Sequence, residues 1–305
     1  MTAARSGILV VDKGTGVTSF QVVARLKRVL RPSRIGHGGT LDPAATGVLP
    51  ILIGEATKLS SYLMDHDKEY LATIRLGVTT DTQDLTGTVL ATAPVPPLGS
   101  ADIERACAAL VGVIAQVPPM YSAVHHEGRR LYELARAGVE VERAPREIVV
   151  HAITVEEVAL PTLRLRIVCG KGTYVRALAA DLGQALGVGG AVERLVRTRV
   201  GPFRLADAVG WREIEDGDAG SLGERVLPPD AAVAGYPEVM LAAAAASAFR
   251  HGQTVNAAAG TAGTAMRVYQ AGRTFLGIGR MLAGGRVKPE RLLHADHPGI
   301  PVLPA

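Results

Sequence analysis

Asp42 stands in Gly38-Gly39-Thr40-Leu41-Asp42-Pro43, inside a glycine-punctuated loop that leads to the apolar run Val48–Ile53. Glycines let the backbone approach a ligand or adopt positive φ, and a carboxylate held there can act as nucleophile or base. The same pattern also fits a simple Asx turn or helix cap. Tyr70, in Lys68-Glu69-Tyr70, opens a strand pattern, where an aromatic is most simply a packed strand residue. Tyr174 and Arg176 follow Lys171-Gly172-Thr173 at the start of a helical pattern. A cation in a first helical turn faces the positive end of the helix dipole, so Arg176 calls for a carboxylate or phosphate partner. A structural role for each residue stands beside the functional one.

Other chemistries lack their signatures. No GxGxxG follows the first strand pattern, and Gly170-Lys171-Gly172-Thr173 does not complete a GxxxxGK[ST] phosphate loop. There is no HExxH and no GxSxG, and adjacent His125 and His126 point to opposite sides of a strand. Cys107 and Cys169 form no Cys-x-x-Cys pair, so the expectation is two reduced, buried thiols, no metal and no cofactor.

The elements that must carry these residues follow from spacing. Gly7–Val11 reads as a strand entering the turn Asp12-Lys13-Gly14-Thr15-Gly16. Thr18 and Gln21 are spaced for a capping box, and Val22, Leu26, Val29 and Leu30 share one face of the helix that follows, which ends at Pro32. Its other face is basic. Residues 79–88 read as a polar connection, Ala91–Ser100 as a proline-rich link, and Asp102–Leu110 as a short helix. Residues 117–146 read as a projecting polar insertion rather than core, with a turn at Gly128 and a short helix near Leu131–Ala135. Leu163, Leu165, Ile167 and Cys169 alternate with Arg164 and Arg166, as in a half-buried strand. Val175, Leu178, Ala179 and Leu182 form the stripe of the next helix, which Gly183 or Gly187 ends.

The 305 residues allow about two domains, with a boundary between Pro228 and Pro237. Residues 1–232 form the larger one. The remainder, 233–305, reads as a small β-rich domain containing the strands AMRVYQ and TFLGIG and an Ala-rich helix near Ala242. It is small enough to lean on its neighbour. Hydrophobic residues make up 48% and charged residues 20%, which excludes a mainly disordered chain. A net charge of +4 is compatible with a nucleic-acid partner without demanding one. The opening MTAARSGILVVDKG lacks a secretory apolar run, and Leu241–Ala246 is too short to span a bilayer. The expectation is a cytoplasmic protein with no membrane association.

Taken together, GHGGTLDPAATGVL at 36–49, KEY at 68–70, KGTYVRALAADLG at 171–183 and LVRTRVGPF at 195–203 closely resemble the tRNA pseudouridine synthase B family. The resemblance runs over roughly residues 5–230 and is looser beyond. It implies an α+β pseudouridine synthase fold with a mixed, largely antiparallel sheet, a thumb-like insertion at about 117–146 and a small C-terminal domain, PUA-like or otherwise accessory to RNA binding. It makes Asp42 the catalytic aspartate, Tyr70 the tyrosine that stacks on the target base, and Arg176 the arginine paired with the catalytic carboxylate. Tyr174, Leu195, His37, Lys13 and Lys171 line the substrate side. Two departures stand out. Gly14 replaces a proline in the opening turn, and Ala45 stands where a larger apolar residue is frequent.

The implied reaction isomerises uridine at position 55 of the tRNA T-loop. The N1–C1′ bond breaks, the base turns, and C5 joins C1′, with no redox change. The nucleotide must first flip out of its stack. Asp42 either attacks covalently or removes a C2′ proton on the way to a glycal. Phosphate contacts to the T stem-loop are expected from three basic groups: Arg25, Lys27, Arg28, Arg31 and Arg34; Arg129 and Arg130; and Arg197 and Arg199. The expected state is a monomer without an obligate protein partner. A synthase acting on another RNA, or an RNA-folding module without catalysis, are the competing readings.

Overall fold

The structure is a computed structural model that describes residues 6–257 and 260–294. The chain divides into two compact units, each assembled from separate stretches. Of the described residues, one takes 43–47 and 65–201 and the other takes the remainder. Their strands are largely antiparallel, and helices pack on them, which makes the fold α+β.

The first of these units is built on five antiparallel strands in the order Gly112–Gln116, Arg146–Ala159, Thr162–Cys169, Lys68–Leu76 and Gly190–Val200. Thr46 and Gly47 add a short parallel pairing to Val196 and Arg197. The alternation seen at 163–169 is real: Leu163, Leu165, Ile167 and Cys169 are all buried. Lys68, Tyr70, Ala72, Ile74 and Leu76 line the same face of the next strand. The helix Val175–Ala185 covers this face with Val175, Leu178, Ala179 and Leu182. It runs past Gly183 and ends before Gly187. Gly183 is a close-approach glycine, since a Cβ there would lie 2.1 Å from the backbone of Gly189 and Gly190.

Three expectations are corrected here. Residues 79–88 are not a plain connection but the turn of a hairpin, because Val78–Thr80 pairs with Val89–Thr92, which also takes the first two residues of the proline-rich link into a strand. The short helix runs Ser100–Ala108. The stretch 117–146 is not wholly projecting polar chain, because Met120, Leu131 and Leu134 bury a small core of their own beneath the hairpin His125–His126/Arg129–Arg130 and the helix Leu131–Arg136. Six-residue amphipathic helices need such a patch, since short isolated helices are unstable in water.

In the second unit, strand Gly7–Lys13 pairs in parallel with Val209–Gly210. The helix Ser19–Leu30 carries the expected capping box, with the Thr18 side chain accepting from the Gln21 N–H and the Gln21 side chain accepting from the Thr18 N–H. Val22 and Leu26 are fully buried, each worth about 1.5–3 kcal/mol by transfer. Strand Ile35–His37 pairs with Ile51–Ile53. A five-stranded sheet follows in the order Glu238–Leu241, Ala265–Gln270, Thr274–Leu282, Arg286–Leu292 and Val255–Asn256. It holds the two expected strands and three more, and the helix Ala243–Arg250 seals it with Ala246 and Phe249. Lys58 donates to the Leu292 carbonyl of this sheet at 3.0 Å, and Tyr62 meets Tyr236, which precedes its first strand, edge-on at 5.9 Å. Among the described residues, no helix is long and apolar enough to cross a membrane.

Candidate functional site

Asp42 is half-buried and follows Leu41, whose peptide is pinned from both sides. The buried Ser19 hydroxyl, at the first residue of its helix, accepts from Leu41 N–H at 3.0 Å and donates to Leu41 O at 3.2 Å. Upstream, Gly38 N–H donates to the Pro50 carbonyl at 2.8 Å. The loop is thus held immediately before the carboxylate, although it has no regular structure of its own. His37 is half-buried at the end of its short strand, opposite Ile51. Lys13 is fully buried, and its ammonium donates to the carbonyls of Gly14 and Val17 at 3.0 and 2.7 Å. That ties down the turn that contains Gly14.

In the other unit, Tyr70 and Leu195 come together on one face. Tyr70 is paired across the strands with Arg197 on one side and Ile167 on the other, and Leu195 with Ala72. Tyr70 and Leu195 are each 8% exposed, so both present an edge to solvent from an otherwise buried face. Arg197 is 2% exposed, which corrects its assignment as a phosphate-facing residue: it lies in the core beside Tyr70. Gly47 makes room for it, with φ of +103° and an imagined Cβ 2.2 Å from the Arg197 carbonyl oxygen. Lys68 is buried two residues before Tyr70 on the same face, and donates to the His66 carbonyl at 2.5 Å. Burial, and after it the charge of Arg197, push this ammonium down to about 8. Burial pushes the neighbouring Cys169 thiol up to about 11, which keeps it protonated and inert. Both cysteines are buried and free.

Arg176 is the second residue of its helix and is only 4% exposed. Its guanidinium donates to the carbonyls of Thr82 and Tyr121 at 2.8 and 2.7 Å, and Nε lies 4.0 Å from Asp84 Oδ2. The Thr82 segment is itself docked, because Leu85 N–H and Val192 N–H bond to Val192 O and Gln83 O. Tyr174 caps the helix with its backbone, and the buried Gln116 amide holds that backbone at both polar groups. Lys171 is exposed and paired with Asp65 at 2.8 Å. Arg129 and Arg130 are exposed on their hairpin.

The reverse face of the central strands is a charge network. Glu69 accepts from Thr198 at 2.8 Å and Arg166 at 3.0 Å, and Arg199 lies 3.9 Å away. Burial alone would raise the Glu69 carboxyl, but the Thr198 and Arg166 hydrogen bonds, with the charges of Arg166 and Arg199, hold it below its ordinary value. Arg199 is therefore engaged by an acid. Arg25 likewise leaves the expected basic edge, since it bonds the carbonyls of Ile214 and Glu215.

The sequence reading missed Ser19, Lys68, Gln116, Thr82 and Tyr121. Lys68 carried a signal, since it shares the period-two face of Tyr70. The others act through long-range backbone contacts that leave no local pattern. Among the described residues, no group of three His, Cys, Asp or Glu is placed to hold a metal ion.

Comparison with known proteins bears on the fold and the family. The chain is similar to one in the structure of an H/ACA RNP bound to a substrate RNA containing 2′-deoxyuridine, with a TM-score of 0.72 and 25% identity over 94% of this chain and 85% of that one. A Cbf5–Nop10–Gar1 complex gives the same TM-score at 26% identity, covering 95% and 84%. Residues 27–175 match the N-terminal domain of the TruB family pseudouridylate synthases. Residues 176–234 match the tRNA pseudouridylate synthase B C-terminal domain, and 237–293 the pseudouridine synthase II TruB C-terminal domain. Proteins named tRNA pseudouridine synthase B are 46% identical in Aromatoleum aromaticum, over 94% of this chain and 92% of that one, and 45% identical in Dechloromonas aromatica, over 94% and 95%. Fold and sequence together define a pseudouridine synthase, an RNA-binding isomerase. The chain belongs to the TruB family, that of tRNA pseudouridine synthase B.

Proposed function

We propose that this enzyme converts the uridine at position 55 of the tRNA T-loop to pseudouridine, with Asp42 as the catalytic carboxylate. The observation that carries this reading is the backbone of Leu41, whose N–H and carbonyl are both bonded to Ser19, so that the chain is fixed immediately before Asp42. A reacting group gains from such fixing because the cost of orienting it is met before the substrate arrives. The names of the relatives support tRNA as substrate.

The target nucleotide flips out at a cost of a few kcal/mol. Tyr70 stacks on the extruded uracil, a contact worth about 1–3 kcal/mol for aromatics of this kind. Leu195 closes the apolar side of the base. Arg129 and Arg130, exposed on the hairpin, take phosphates of the T stem-loop. The reaction breaks N1–C1′, rotates the base and forms C5–C1′, and the proton leaving C5 is returned at N1, so atoms balance without an added reactant.

The test is an unmodified tRNA transcript incubated with the enzyme alone, followed by chemical mapping of pseudouridine, with Asp42→Asn in parallel. Modification confined to the T-loop uridine and absent in the variant is the expected result. Modification elsewhere overturns the substrate assignment, and an active Asp42→Asn overturns the role of the carboxylate.

A further inference from the structure

We propose that Gln116 is a positioning residue for pseudouridine formation, setting the first helical turn that carries Arg176. The inference rests on the proposed function and on the role that the family resemblance implies for Arg176, pairing with the catalytic carboxylate.

Gln116 is the last residue of the strand Gly112–Gln116, at the edge of its sheet, and its side chain is buried at 3% exposure. A primary amide presents a donor and an acceptor side by side. Here Oε1 accepts from Tyr174 N–H at 2.8 Å, while Nε2 donates to Tyr174 O at 3.1 Å. The amide therefore grips one residue's backbone as a neighbouring strand would. Its orientation is dictated, since a backbone N–H can only donate and a carbonyl can only accept.

Tyr174 needs this grip. It is the N-cap of the helix, and its own side chain makes no capping hydrogen bond to the first turn. Its N–H has no partner within the helix. Its carbonyl already accepts from Leu178 N–H, so the Gln116 bond takes the second lone pair. With both polar groups engaged, the two peptide groups flanking the Tyr174 Cα are held where the helix starts, and Arg176 stands two residues along. The same chain segment also reaches Arg176 directly, because Tyr121, five residues after Gln116, supplies a carbonyl to its guanidinium at 2.7 Å. Backbone on one side and guanidinium on the other are thus referenced to one short stretch, Gln116–Tyr121.

The predicted consequence is kinetic. Single-turnover rates and tRNA dissociation constants are to be measured for wild type, Gln116→Met, Gln116→Glu, Arg176→Lys and the Gln116→Met/Arg176→Lys pair. Gln116→Met should lower the rate about 10- to 100-fold, the scale of a small misplacement of a reacting constellation, with tRNA affinity unchanged. In the Arg176→Lys background it should cost less than about twofold more, because coupled residues are not additive. Gln116→Glu keeps the acceptor for Tyr174 N–H and loses the donor. Its rate relative to wild type should recover as pH falls and the carboxyl regains a proton to donate. A wild-type rate in Gln116→Met overturns the proposal, as does an equal further loss in the Arg176→Lys background. Should Gln116→Met fail to fold, Gln116→Glu decides alone: a rate ratio flat with pH overturns it. An Arg176→Lys enzyme with full rate instead overturns the reading on which the proposal rests.

Discussion

The Ser19 hydroxyl and the Leu41 peptide form a reciprocal pair, 22 residues apart in the chain, with one bond accepted at 3.0 Å and one donated at 3.2 Å. Because both are buried, the pair cannot be replaced by water without opening the loop. Ser19→Ala leaves a buried N–H and carbonyl unpaired, at a cost of about 1–3 kcal/mol. The expected outcome is a lower unfolding midpoint in denaturant together with a reduced rate of modification at unchanged tRNA affinity. A variant with wild-type rate would separate the pin from the presentation of Asp42.

Asp42→Asn keeps the shape of the side chain and removes its charge. Filter binding should show tRNA affinity within about threefold of wild type, while pseudouridine formation falls by about three orders of magnitude or more. Weak binding with residual turnover would point to a role in gripping the RNA.

Arg129 and Arg130 are exposed at the end of a two-residue hairpin pairing, with Arg130 also 5.9 Å above the Tyr132 ring. If each meets one phosphate, replacing it with Ala should weaken tRNA binding and lower the slope of log K against log salt by about one. Arg197→Ala should behave differently, because that side chain is buried: the folded protein loses stability and the salt slope stays unchanged.

Lys68 gives a pH signature. Its ammonium lies near 8 in the folded protein against 10.5 for the free side chain, through burial and then the Arg197 charge. Between these values the unfolded chain binds more protons, so this group's contribution to stability rises with pH through that window and is lost as pH falls through about 8. The Cys107 and Cys169 thiols, both raised to about 11 by burial, act in the opposite sense from their ordinary value of 9.0 upward. The difference in unfolding free energy between wild type and Lys68→Met isolates the lysine, and should move in favour of wild type from pH 8 to pH 10. A flat difference would show that the amine is solvated.

Gly47 combines a φ of +103° with an imagined Cβ 2.2 Å from the Arg197 carbonyl oxygen, a backbone atom that cannot swing away. Gly47→Ala should cost about 1–3 kcal/mol from the backbone conformation alone, before the contact is counted. Thermal unfolding would measure it, and an unshifted midpoint would mean that the strand pairing relaxes freely.

What the sequence by itself determined lies within a few residues along the chain. The Thr18–Gln21 capping box, the buried stripe of Ser19–Leu30, the alternation Leu163–Cys169 and the helix after Tyr174 all depend on periods of two or 3.6 and on caps within three positions. The motifs around Asp42, Tyr70 and Arg176 were legible as a set because each is short and contiguous. Tertiary structure alone decided which cations are available to RNA. Arg197 is buried against Tyr70, Arg199 faces Glu69, and Arg25 bonds carbonyls 189 and 190 residues away. It also decided the supports of the site, Ser19 for Leu41 and Gln116 for Tyr174, the latter across 58 residues. The reason is physical. Buried backbone groups must find partners, but nothing in the local sequence says which distant side chain will supply them.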